Sequence, residues 1–269
     1  MALSPFQRDV CRLLAERRRA SGESYIAGGA ALTVALAARR LSRDLDIFHD
    51  TADAVAASWD ADRRLLQSAG YAVDVRRERS GFVEAVVTRA GELLTVEWVR
   101  DSAYRFFPLV EHEDFGLVLH PVDLATNKVL ALIGRAESRD WIDAIDCHRH
   151  LQPLGYLSWA ACGKDPGFTP AGILAHAART SHYSQAEIDA LAFEGDSPSA
   201  RALSQDWHAA LDQARSIVAR LPLERAGTVV LDVGGNLFRG GPNEIREALA
   251  AGAVQFHEGR IQGAWPTVR

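Results

Sequence analysis

The chain has almost no lysine and little sulfur. Of its 30 Lys plus Arg residues only Lys128 and Lys164 are lysines, there is one methionine, and the three cysteines are Cys11, Cys147 and Cys162. An odd number of cysteines at no metal-ligand spacing excludes a disulfide framework or a zinc finger, and suits reduced thiols in a cytoplasmic protein. No apolar run is long enough to span a bilayer. The arginine-studded start, MALSPFQRDVCRLLAERRRA, lacks the apolar centre of a signal peptide, so no membrane partner is expected. A broadly basic surface is also missing: the net charge is −5, which leaves room only for a local nucleic-acid patch. Repeats and low-complexity segments are absent too. An arginine bias this strong usually follows codon composition, so a surviving lysine hints at a position that needs an ammonium group.

What is present is enough for a sizeable core: 269 residues, 48% of them hydrophobic. Residues 5–20 read as a helix with Phe6, Val10, Leu13 and Leu14 on its apolar stripe. A short apolar entry, 25–27, leads into Gly28-Gly29 and an alanine-rich helix over 31–39. A loop and strand fill 40–48, a helix runs to Gly70, and three antiparallel strands follow at 72–79, 82–88 and 93–100, joined by turn pairs. Helices are expected over 122–133 and from an N-cap at Ser138 to 151. The Pro- and Gly-rich stretch 153–170 reads as the least structured, a boundary before further helices to 221. A strand at 228–233, a helix at 243–251 and a hairpin over 254–261 close the chain. The fold class is therefore α/β (α+β), a mixed β-sheet flanked by helices, with divisions at 1–152, 153–225 (helical) and 226–269 (a small β-rich module).

The chemistry concentrates in YIAGGAALTVALAARRLSRDLDIFHD, residues 25–50. Strand alternation puts Asp44, Asp46 and Phe48 on one face and Leu45 and Ile47 on the other. Two carboxylates on one face raise each other's pKa unless a cation joins them, and magnesium suits an all-oxygen site. Two-metal phosphoryl chemistry wants a third acid from another strand. Glu97 in LLTVEWVRD fits; the plainer alternative is an edge-strand carboxylate paired with Arg100 or Arg105. Gly28-Gly29 before a helix lets backbone amides approach phosphate, or is merely a turn. Arg40 and Ser42 could hold phosphate oxygens, or Arg40 could form a surface ion pair. Lys128 lies on the 122–133 helix, to meet a phosphate or to pair at the helix surface with Asp123 or Asp140; Asp140 and Asp143, at i and i+3, share a face of the next, where Asp140 also suits the first turn's dipole. Asp146, Cys147, His148 and His150 diverge around a helix and make a poor metal set. VLDVGGNLFRGG has no P-loop lysine, and its neighbours Leu237, Phe238, Phe256 and Trp265 would pack on the helices or meet a partner.

Taken together, GGAALTVALAARRLSRDLDIF and the downstream HPVDLATNKVLALIGRAESRDWIDAID resemble the signature of the nucleotidyltransferase superfamily, in particular AbiEii-type nucleotidyltransferase toxins, over roughly residues 20–152. The resemblance implies a nucleotidyltransferase-like sheet and an enzyme that moves a nucleoside monophosphate from an NTP to an acceptor. It implies RNA as that acceptor, tRNA above all, and an antitoxin protein as partner. Gly28 and Gly29 would line the triphosphate. Asp44, Asp46 and Glu97 would bind two Mg2+ ions, Lys128 would contact phosphates, and Asp143 or Asp140 would act beside the acceptor. The family usually has Ser or Thr where this chain has Ala30, so one hydroxyl contact to phosphate is missing. A small-molecule, antibiotic-type transferase and a non-catalytic binding protein of the same fold are the alternatives.

Overall fold

The computed structural model describes residues 3–180 and 182–261. By internal contacts the chain divides between His120 and Pro121 into a sheet-bearing unit and a mainly helical one, Pro121–Arg260. That cut falls upstream of the composition boundary at 152/153.

In the first unit α1 (Pro5–Ser21) is started by Ser4 and Gln7, each side chain capping the other's backbone. Its buried face is Phe6, Val10, Cys11, Leu14 and Ala15, joined by Arg18. Leu13, expected on that stripe, is only half-buried. An arginine is tolerated inside because its guanidinium donates to the Phe115 carbonyl and to Ser24 Oγ. Then follow β1 (Tyr25–Ala27), α2 (Gly28–Leu36), β2 (Asp44–His49), α3 (Ala52–Ser68), β3 (Ala72–Arg79), β4 (Phe82–Arg89), β5 (Glu92–Arg100), β6 (Tyr104–Arg105), β7 (Val110–His112) and β8 (Gly116–Val118).

Seven strands form one mixed sheet in the order β3-β4-β5-β2-β1-β8-β7. Strands β3, β4 and β5 make the expected antiparallel meander, β2 runs parallel to β5, and β1 joins β2 antiparallel and β8 parallel. The strands over 104–118 show no usable period, being two or three residues long, and are not anticipated from sequence. Alternation gives the sheet two distinct faces. Ile47, Val83, Ala85, Val87, Val96 and Trp98 point into the core, where Trp59 of α3 packs edge-on to Trp98 at 4.7 Å and Asp62 accepts from Trp98 Nε1 at 2.9 Å. The intervening residues, Asp44, Asp46, Glu84, Thr95 and Glu97 among them, are half-buried on the other face.

The second unit contains α4 (Pro121–Arg135), α5 (Ser138–His150), α6 (Leu154–Lys164), α7 (Pro170–Ala177), α8 (Gln185–Asp189), α9 (Ala200–Val218), β9 (Thr228–Asp232), α10 (Pro242–Ala250) and β10 (Val254–Glu258). Three expectations are corrected. The cap of α5 is Glu137, without a side-chain cap bond, and Ser138 is already helical. The stretch read as unstructured contains α6, buried from Leu154 to Cys162. Its glycines are points of close approach: a Cβ on Gly155 would lie 2.9 Å from Ile217 Cβ, and one on Gly163 would lie 2.2 Å from the Gly227 carbonyl oxygen. A helix buried all round has no amphipathic period to read, and its glycines mimic turn signals. Finally, 254–258 does not form its own hairpin but pairs antiparallel with β9, Val254 opposite Asp232 through Glu258 opposite Thr228. Tyr156, Trp159, Ile217, Leu221, Val230 and Ile245 form the core beneath it, with Phe238 and Phe256 packed against them. Trp265 lies outside the described residues.

Among the described residues no helix is long and apolar enough to cross a membrane, and the three cysteines are free and buried.

Candidate active site

The glycine pair, the Arg-x-Ser and the two aspartates converge because β1 and β2 are neighbours. Ala27 pairs with Asp46 across the antiparallel ladder, so the chain turns into α2 directly over the Asp46 carboxylate. Gly28 has φ +70°, and a Cβ there would stand 1.9 Å from Asp46 Oδ2. Only glycine fits, for conformation and for space. A Cβ on Gly29 would come 2.8 Å from Arg40 Nη2 and 2.9 Å from Ser42 Oγ. The helix thus begins at Gly28 itself, three residues earlier than its alanines suggest, and ends at Leu36 before left-handed Ala37. Its N-cap residue, Ala27, supplies no side-chain cap, and amides at such a helix start suit an anion. Ala30 is buried in that turn. Gly28→Ala is expected to cost both folding stability and activity, measured as a lowered unfolding midpoint alongside lost transfer; an Ala variant of unchanged stability would contradict the close contact.

Arg40 is buried rather than at the surface. Its carbonyl accepts from Thr33 Oγ1 at 3.0 Å, and its guanidinium donates to the Leu41 carbonyl at 3.3 Å. Ser42 is fixed from both sides, its carbonyl accepting from Gln7 Nε2 at 3.0 Å and its hydroxyl donating to the Asp44 carbonyl at 3.2 Å.

The acids are ordered by strand register. Asp44 lies opposite Thr95, and Asp46 lies opposite Glu97 on parallel β2 and β5. Glu97 is therefore on an interior strand of the sheet, not an edge. Glu97 in turn faces Glu84 on β4, and Glu84 faces Arg77 on β3. One row of a single sheet face reads Arg77, Glu84, Glu97, Asp46. Glu84 is not singled out by the sequence reading, although the two-residue turn Ala90-Gly91, both at positive φ, sets Arg89 opposite Glu92 and hence Glu84 opposite Glu97. Arg79, over the Phe82 ring at 5.0 Å, stands on the same face one row further on.

The donor set is all oxygen, which is the set for a hard divalent cation. Among the described residues no three metal-ligating side chains form a preformed cluster. Magnesium does not require one, since it is commonly held by one or two carboxylates together with substrate phosphates. Asp46, with the space over it kept clear by Gly28, and Glu97 beside it fit that mode.

Lys128, Asp140 and Asp143 are brought together in the second unit. Lys128 Nζ lies 3.0 Å from Asp140 Oδ1 and 3.0 Å from Asp143 Oδ2. Arg135 grips Asp140 with two hydrogen bonds, 2.6 Å from Nε and 2.9 Å from Nη2. Burial alone would raise the Asp140 carboxyl; hydrogen bonds from Arg135 and the charge of Lys128 outweigh it and hold it below the ordinary range. The side chain of the other lysine is only 7% exposed. Lys164 Nζ meets Asp123 at 2.8 Å and donates to Asn127 Oδ1 at 2.8 Å. Both ammonium groups of this arginine-rich chain therefore sit in buried ion pairs.

No family model matches the chain, and no curated protein matches it in sequence. Solved structures do match. A candidate nucleotidyltransferase from H. pylori aligns with a TM-score of 0.53 at 13% identity, covering 82% of this chain and 99% of its own. JHP933 from Helicobacter pylori gives 0.52 at 15%, covering 81% and 95%. MenT4, a nucleotidyltransferase toxin from Mycobacterium tuberculosis H37Rv, gives 0.52 at 16%, covering 81% and 83%. At these identities the likeness establishes the fold.

Proposed function

Starting from this nucleotidyltransferase fold, we propose that the chain is a Mg2+-dependent enzyme that moves a nucleoside monophosphate from an NTP to an RNA acceptor, as a toxin-like transferase restrained by an antitoxin protein. The observation that carries the reading is the convergence of Gly28, Gly29, Arg40 and Ser42 over Asp46, with Glu97 in register beside it. The first turn of α2 and the Arg40-Ser42 pair receive the triphosphate oxygens. Asp44, Asp46 and Glu97 would hold two Mg2+ ions, which would supply activation of the acceptor oxygen and neutralisation of the departing pyrophosphate. Lys128, fixed by two aspartates, supplies a cation for phosphate, where charge accumulates as the bond breaks. Asp143 or Asp140, both held by Lys128, acts beside the acceptor.

RNA is favoured over a small cationic acceptor by the sheet face beyond the carboxylates. Arg77 and Arg79 stand on it, and Arg39, Arg43 and Arg76 are also exposed in the same unit. Exposed guanidinium groups suit phosphates, and Arg79 over Phe82 adds an aromatic surface for a base. The reading predicts that NTP binds with a Kd in the micromolar range with Mg2+ and at least about tenfold more weakly with EDTA, read by calorimetric titration. No binding with either would overturn it.

A further inference from the structure

The two lysines of the helical unit keep different company. Lys164 Nζ meets the Asp123 carboxylate and the neutral Asn127 side chain. Lys128 Nζ meets two carboxylates, Asp140 and Asp143, each at 3.0 Å and with side chains 0% and 3% exposed. One ammonium and two carboxylates sum to a net negative charge, and a triphosphate brought up to those three groups alone would be repelled. A further cation changes the sum. Arg135 supplies it, donating to Asp140 Oδ2 from Nε at 2.6 Å and to Oδ1 from Nη2 at 2.9 Å. This two-pronged grip is the strong form of a guanidinium–carboxylate pair. The four side chains then carry two positive and two negative charges.

The chain is shaped to bring Arg135 there. It is the last residue of α4, while Asp140 lies in the first turn of α5. Five residues apart, the pair spans the turn between two helices and is not the usual pair along one helix face. Ala136, between them, has φ +52°, a left-handed conformation that costs an alanine energy. Its carbonyl accepts from the Tyr183 hydroxyl at 2.7 Å, which holds the turn closed.

We propose that Arg135 is a positioning residue of the phosphate site: by taking up the charge of Asp140 it leaves the Lys128 ammonium able to attract the phosphates of the NTP. The inference rests on the assignment of Lys128 to the nucleotide. Arg135 acts through Asp140 and not by touching the nucleotide itself.

The test is calorimetric titration of the full chain with ATP, GTP, CTP and UTP in turn, with Mg2+ present, beside thermal unfolding. The variants are Arg135→Gln, Arg135→Lys, Tyr183→Phe, Lys128→Ala and the double variant Arg135→Gln with Asp140→Asn. Arg135→Gln is expected to weaken NTP binding about tenfold, the scale of one charged hydrogen-bonded group. Arg135→Lys, which keeps the charge and loses the fork, should stay within about threefold of the parent chain. The double variant, in which the charge to be balanced is gone, should recover to a similar level. Tyr183→Phe loosens the same turn without changing its charge, so the midpoint should fall and the affinity should hold. Unchanged affinity in Arg135→Gln with a lowered midpoint, matching Tyr183→Phe, would make Arg135 a tie between two helices and overturn the inference. A loss that the double variant does not restore would make it a direct phosphate contact and overturn the inference as well. In either case weakened NTP binding by Lys128→Ala would leave the nucleotide reading of Lys128 standing, and unchanged binding there would overturn that reading too.

Discussion

Asp46→Asn is expected to lower nucleotidyl transfer by at least about 10³-fold, equivalent to about 4 kcal/mol of transition-state stabilisation. The substitution keeps the shape that fits beneath Gly28 and removes only the charge. Because Asp46 faces Glu97 across the ladder, deleting its charge also relieves a like-charge contact, so the unfolding midpoint should hold or rise. That pairing of lost activity with preserved stability separates a site acid from a structural one. A variant that unfolds at lower temperature and retains transfer would assign Asp46 to the fold. Asp44→Ala is expected to follow Asp46→Asn in abolishing metal-dependent transfer with the fold intact.

Lys128→Ala is the second large effect, and it acts through both stability and binding. The ammonium group lies between two almost fully buried carboxylates. Removing it leaves Asp143 without that partner and Asp140 with Arg135. Breaking a buried ion pair from one side typically costs about 3–5 kcal/mol, and the low end applies where part of the compensation survives. A urea titration reads that loss. Nucleotide affinity, measured below the unfolding transition, reads the functional part and should fall well beyond the effect of Lys164→Ala. Lys164→Ala is itself expected to destabilise, since it takes the ammonium from the fully buried Asp123; it controls for a lost enclosed ammonium, not for a surface change. Equal nucleotide affinities in the two variants would remove Lys128 from the site.

Much of the sheet-bearing unit is legible in the sequence because its signals are local. The β3-β4-β5 meander is written in period-two alternation and in turns at Ser80-Gly81 and Ala90-Gly91, and the face shared by Asp44 and Asp46 follows from the same period. Glu97 opposite Asp46 is not local; it needs β2 to lie beside β5, a pairing between strands separated by α3 and two other strands. Glu84 was within reach, since the Ala90-Gly91 turn fixes its partner, but only once Glu97 is placed. Short β8 beside β1 carries no period at all. In the helical unit the failure has the opposite cause. α6 is apolar on every side, so burial erases the contrast that marks a helix, and Gly155 and Gly163 look like breaks where they serve close packing against Ile217 and Gly227. The Lys128 cluster is legible as a motif in sequence, whereas its bidentate Arg135 partner and the burial of Lys164 emerge only from packing.

The most direct measurement is incubation of the purified protein with each radiolabelled NTP, Mg2+ and total cellular RNA, resolved on a gel, with Asp46→Asn in parallel. The account predicts label in RNA from one or more NTPs with the unmodified chain and none with the variant. Equal labelling by both proteins, or no labelling from any NTP, would contradict it.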